Sequence, residues 1–113
     1  MDYTLNRIEL RGNVGEDAKI NKFGDNRVAR FKIATNYSYR DKDGKPVIET
    51  TWHNIVAWEG RGMPDFDSIT KGTAIYACGR LRVSKFTNNE GEEKKVYEVI
   101  ANRLQIVNPE DFK

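Results

Sequence analysis

One cysteine, one histidine and three prolines in 113 residues leave little room for several kinds of chemistry. Cys78 alone forms no intramolecular disulfide, so the fold rests on its core and the expected compartment is the reducing cytoplasm. A single histidine and a single cysteine do not make a metal site, which needs clustered ligands; neither metal nor cofactor is expected. No apolar run approaches the roughly 20 residues of a membrane span, and Met1-Asp2-Tyr3 opens no signal peptide, so no membrane association is expected. No linker, repeat or low-complexity stretch divides the chain, and residues 1–113 read as one domain.

Catalysis finds no constellation either. His53 lies in a strand between Trp52 and Asn54, with no serine or cysteine nucleophile beside it; a lone strand histidine is usually packed or at an interface. Asp65 and Asp67 precede Ser68 and Ile69 and read as helix-start residues. Lys71-Gly72-Thr73 has the wrong order for a phosphate loop. Cys78, between Ala77 and Gly79, reads as a small buried hydrophobe. A non-enzyme is expected.

What the sequence does contain is alternation with period two, the signature of half-buried strands. Ile8, Leu10, Gly12 and Val14 share one face of a first strand, with Arg7, Glu9 and Arg11 on the other. Over residues 28–37, Ala29, Phe31, Ile33 and Thr35 oppose Arg30 and Lys32. A third strand spans about 47–58, a fourth 73–83 and a fifth 95–107. Asn88-Asn89-Glu90-Gly91, Asp41-Lys42-Asp43-Gly44-Lys45-Pro46 and Phe23-Gly24-Asp25-Asn26 supply turns that tolerate positive φ. Residues 61–70 break the alternation, with a short helix or irregular link beginning near Asp65 and limited by Gly62 and Pro64. Three strands, a short link and two more strands form the layout of an all-β OB-fold, a five-stranded Greek-key barrel. An SH3-like barrel or a small sandwich also fits the pattern alone.

The 19 basic and 17 acidic side chains give a net charge of only +2, but they are segregated. Residues 26–40, 50–58 and 68–89 contain no acid, while Arg27, Arg30, Lys32, Arg40, Lys71, Arg80, Arg82 and Lys85 fall within them. That segregation builds a positive face on a nearly neutral protein. The aromatics sit in or beside the same windows. Trp52 and Trp58, six apart, project from one strand face; Tyr39 is flanked by Arg40 and Lys42, and Phe86 follows Arg82 and Lys85. Flat rings beside cations are what a protein needs to hold single strands without reading sequence, because every base has a face to stack. Two tryptophans on one face serve a core equally well, and Tyr37, Tyr39 and Phe86 near turns would serve as barrel plugs.

Over nearly its whole length the chain resembles the bacterial single-stranded DNA-binding protein family. The resemblance is carried by Asn6-Arg7-Ile8-Glu9-Leu10-Arg11-Gly12-Asn13-Val14-Gly15, then Phe31-Lys32-Ile33-Ala34-Thr35-Asn36 and Thr51-Trp52-His53. Lys71-Gly72-Thr73-Ala74-Ile75-Tyr76 and Gly79-Arg80-Leu81-Arg82 follow in order. It implies base stacking by Tyr39, Trp52, Trp58 and Phe86, and a charged path through Arg40, Lys42, Arg61, Lys71, Arg82 and Lys85. It also implies His53 at a subunit interface, a homotetramer with a dimer as the alternative, and a role in replication, recombination and repair. The family's long linker and acidic tip have only a faint echo in Glu110-Asp111-Phe112, so recruitment of protein partners by that route is not expected. The alternative reading is an adaptor resembling primosomal replication protein N, which acts mainly through protein–protein contacts with replication proteins.

Overall fold

A computed structural model describes residues 3–108 and 110; Asp111 and Phe112, most of the terminal echo, lie outside the described residues. The alternation resolves into β1 (Ile8–Val14), β2 (Lys19–Phe23), β3 (Asn26–Arg40), β4 (Pro46–Trp58), β5 (Ala74–Thr87) and β6 (Glu93–Ile106). The sheet order is β1-β5-β6-β4-β3-β2, and β1 also pairs with β3, which closes the barrel. Only β4 and β6 run parallel among these pairings.

β1 and β2 lie along the same edge of β3, with Val14 opposite Ile33 and Lys19 opposite Arg30. They act as two halves of one bent strand interrupted at residues 15–18. The five-stranded barrel expected from the sequence is therefore present, and β2 is the piece the sequence concealed. Only Ile20 of its five residues is half-buried, too little for alternation to register. The expected Phe23–Asn26 turn joins β2 to β3, with Gly24 at φ +62°.

Inward residues fill the barrel: Val14, Phe31, Ile33, Ile55, Ile75, Val99 and Leu104 are buried. The link between β4 and β5 is a single 3₁₀ turn, Phe66–Ser68, capped by Asp65, whose side chain accepts from the Asp67 N–H. Phe66 and Ile69 from this link are wholly buried in the core, with Met63 packed beside them. The barrel plug is thus the irregular link, which corrects any reading of Tyr37, Tyr39 or Phe86 as plugs. All three are exposed.

Two glycines let the backbones meet. A β-carbon on Gly12 would collide with the Ala34 carbonyl oxygen, and one on Gly79 with the Ile100 carbonyl and the Ala101 backbone. Gly79 sits at the register shift between β5 and β6. Beyond the barrel, β3–β4 and β5–β6 continue as two-stranded arms whose residues are mostly exposed.

Because backbone cannot retreat as a side chain does, Gly79→Ala is expected to cost about 3 kcal/mol, the upper end for overpacking. Gly91→Ala, at φ +79° with open space around it, is expected to cost only about 1 kcal/mol for the left-handed conformation. Urea denaturation of both variants checks the difference; equal costs would mean that the β5–β6 crossing relaxes.

Candidate nucleic-acid interface

Register aligns the outward rows of β3, β4, β6 and β5 side by side, with Val28 and Val56 in them covered by their neighbours. Val28 faces Trp58, Arg30 faces Val56, Lys32 faces Asn54 and Ala34 faces Trp52. The parallel pairing extends these rows to Glu98 and Ile100, and the β5–β6 ladder carries them on to Arg82 and Arg80. Phe86 stands on the same face, opposite Lys94. Three of the four anticipated rings therefore share one outward surface. Trp52 and Trp58 are about 20 Å apart along their strand.

All four rings are open to solvent: Tyr39 is 42% exposed, Trp52 56%, Trp58 46% and Phe86 48%. The core reading of the two tryptophans is set aside by these values. Local packing orients each ring. Trp52 lies across Gly15, where a β-carbon would approach ring atom Cζ3 to 2.6 Å. Trp58 meets Phe23, with centroids 5.9 Å apart and planes at 49°. Phe23 is itself exposed and escaped the sequence reading because β2 did. Tyr39 differs: it pairs with Val47 on the opposite face of the β3–β4 arm, 6.0 Å from Tyr37.

A groove of about 780 Å³ runs past Trp52, lined by Lys19, Arg30, Lys32, Asn54 and Glu98 and walled by Gly15, Glu16 and Asp17. Of the expected cations, Lys71 is brought to this wall, since its backbone N–H donates to Asp17 Oδ1 at 2.9 Å. Arg82 shares the outward surface, opposite Glu98. Arg61 follows Trp58 on the turn whose Gly62 carbonyl accepts from the Leu104 N–H. Arg40 and Lys42 remain on the β3–β4 hairpin, where Arg40 Nη1 donates to the Gly44 carbonyl at 2.8 Å. Lys85 pairs with Lys95 on the face opposite Phe86. The groove cations Lys19, Arg30 and Lys32 were not singled out as site residues. Arg30 and Lys32 were legible as the outward set of an acid-free strand, whereas Lys19 was hidden with β2.

The acid beside Trp58 is engaged. Glu59, beside Trp58, accepts from the Arg27 N–H at 2.9 Å and from Arg27 Nε at 3.0 Å. The Arg27 hydrogen bonds hold the Glu59 carboxyl below its ordinary value. Arg27 also lies 5.8 Å from the Phe66 ring centroid, so the pair ties the outward surface to the plug. His53 faces the other way, half-buried at the barrel rim, with Nε2 2.8 Å from Thr35 Oγ1; burial lowers its pKa. Among the described residues no group of three or more His, Cys, Asp or Glu side chains is disposed to hold a metal ion, and no helix is long and apolar enough to cross a membrane.

Comparison with known proteins places the chain in a family. The model of the single-strand binding protein family matches residues 5–107. The single-stranded DNA-binding protein of Neisseria meningitidis serogroup A is 28% identical over 105 residues, covering 92% of this chain and 60% of the relative. Single-stranded DNA-binding protein 1 of Xylella fastidiosa is 31% identical over 106 residues, covering 92% of this chain and 78% of the relative. The chain thus spans about three-fifths of the Neisseria protein's length. Among solved structures, the Plasmodium falciparum SSB complex with ssDNA superposes with a TM-score of 0.84 at 30% identity, covering 96% of this chain and 99% of that one. A Thermus aquaticus single-stranded DNA binding protein, 20% identical with a TM-score of 0.74, shares the fold.

The Arg27–Glu59 pair sets a pH dependence. A carboxyl held below its ordinary value of 4.5 contributes stability that is complete above that pH and is lost as pH falls through the folded value. Wild type is expected to be more stable than Glu59→Gln at pH 7, with the gap closing below pH 4.5. Denaturation at several pH values checks this, and a gap independent of pH would show that the charge is irrelevant.

Proposed function

The chain belongs to the single-strand binding protein family, and on that premise we propose that it holds and protects single-stranded DNA without sequence preference in replication, recombination or repair. The observation that carries the proposal is the exposure of four aromatic rings, three of them on one outward surface that also bears Arg30, Lys32 and Arg82. Bases stack on Trp52, Trp58 and Phe86, with Tyr39 receiving the strand at the β3–β4 hairpin beside Arg40 and Lys42. Phosphates follow Arg30, Lys32, Lys71 and Arg82, with Arg61 and Lys85 at the margins. The likeness to a Plasmodium protein in complex with single-stranded DNA supports the single-strand reading. The proposal assigns the chain binding rather than catalysis. Bare rings alone would also serve an adaptor's protein contacts, but rings set among Arg30, Lys32 and Arg82 suit a nucleic-acid strand better, so that alternative is not favoured.

Self-association, as a homotetramer, is part of the proposal. Leu81, Val83 and Tyr97 are exposed on the β5–β6 arm, on the face that continues the barrel interior, and His53 stands at the rim of the same side. Burial of such apolar surface favours association at about 25 cal/mol per Å².

Oligo-dT is expected to quench the tryptophan fluorescence, with duplex of equal length binding far more weakly. If about six phosphates are neutralised, log K falls with log salt at a slope of about −4. Trp52→Ala and Trp58→Ala are each expected to lose about 1–3 kcal/mol of binding. Equal affinity for duplex, or full affinity in both variants, would overturn the proposal. Light scattering is expected to give four times the chain mass for wild type and a smaller species for His53→Glu. A monomeric wild type would refute the assembly.

A further inference from the structure

The groove contains a carboxylate for which stacking and phosphate binding have no use. Glu98 stands on β6 in the middle of the outward surface, between Asn54 on β4 and Arg82 on β5. Its side chain is 16% exposed and lines the groove together with Trp52, Arg30 and Lys32. Oε2 lies 3.4 Å from Arg30 Nη1, and Oε1 accepts from Ser84 Oγ at 3.4 Å. Both contacts are long, and an ionised carboxylate offers about four acceptor positions, so lone pairs remain for a guest.

An anion here repels phosphate and leaves the groove floor to the other part of a nucleotide, the base edge. Exocyclic amines of cytosine, adenine and guanine donate to a carboxylate, whereas thymine presents carbonyl acceptors in that place. Asn54 beside it spends Nδ2 on the Tyr97 carbonyl at 3.2 Å, so the side-chain donor that would suit a thymine carbonyl at this level is already engaged, while its Oδ1 adds a further acceptor beside Glu98.

We infer that Glu98 is a base-facing specificity residue: it accepts a hydrogen bond from the exocyclic amine of a base lodged beside Trp52. The strand then lies with phosphates toward the Arg30–Lys32 and Arg82 rims, and amino-bearing bases are favoured over thymine at this one position. The inference rests on the single-strand reading above and adds a compositional bias to it.

The test is the ratio of affinities for oligo-dC and oligo-dT of equal length, in wild type and in E98Q, which is nearly isosteric but replaces one acceptor with a donor. The dC-to-dT ratio is expected to fall about 5-fold in E98Q, the low end for one directed base contact. A change by one common factor for both oligomers would show that Glu98 only positions Arg30, and would overturn the inference, as would no change. An independent measurement uses wild type alone. An oligomer of pyrimidin-2-one nucleotides, which lack the cytosine amine, is expected to bind about 5-fold more weakly than oligo-dC, and equal binding would overturn the inference. If wild type binds neither oligo-dC nor oligo-dT, the single-strand reading itself fails, and that outcome is distinct from an unchanged ratio.

Discussion

Five strands close around a core this small only where two backbones come nearer than a β-carbon permits. Gly12 against the Ala34 carbonyl and Gly79 against Ile100 and Ala101 are those places. The first lets β1 leave β5 and reach β3; the second absorbs the register shift that bends β5 across β6. With the interior so tight, Ile, Val, Ala and Leu fill most of it, and Phe31 is the one strand ring inside, Phe66 coming from the link. The outward position of Trp52 and Trp58 follows from parity along β4, whose alternate residues Ile55 and Ala57 point into the core. Bending of the sheet at those seams also produces the groove, since a flat sheet would have no wall at residues 15–17.

Electrostatics follow the same geometry. A net charge of +2 gives little overall attraction for a polyanion, and three of the acids near the rings are occupied or sunk, while Glu16 stays exposed on the groove wall. Glu59 is held by Arg27, Asp17 accepts the Lys71 N–H, and Glu98 is largely covered between Arg30 and Ser84.

Much of this was legible before any coordinates. Strict alternation exposed the inner faces of β1 and β3, because Phe31 and Ile33 alternate with Arg30 and Lys32 without interruption. The cap at Asp65 was legible because short acids at helix starts have a local cause. Illegible were features whose cause is tertiary. β2 carries one half-buried residue; Phe66 and Ile69 plug the barrel from a link with no period; and the arms extend to Arg40 and Thr87 through polar residues that resemble loop. Membership of the groove was partly hidden for the same reason. Lys19 and Glu98 reach it from strands far apart in sequence, and adjacency in sequence suggested Lys85, which alternation sends to the other face.

Alternation also gives each arm two usable faces, and this links binding to assembly. Trp52 and Phe86 stand on outward rows, whereas Tyr39 stands on the row that includes Tyr37 and continues the barrel interior, as do Leu81, Val83 and Tyr97 on the neighbouring arm. A second copy covering the apolar row would leave the outward rings untouched but would decide the surroundings of Tyr39. On the proposed function and assembly, the hairpin carrying Arg40 and Lys42 would therefore be the part of the path whose contribution depends on the oligomer. Trp52, anchored over Gly15 within a single barrel, is the part that does not.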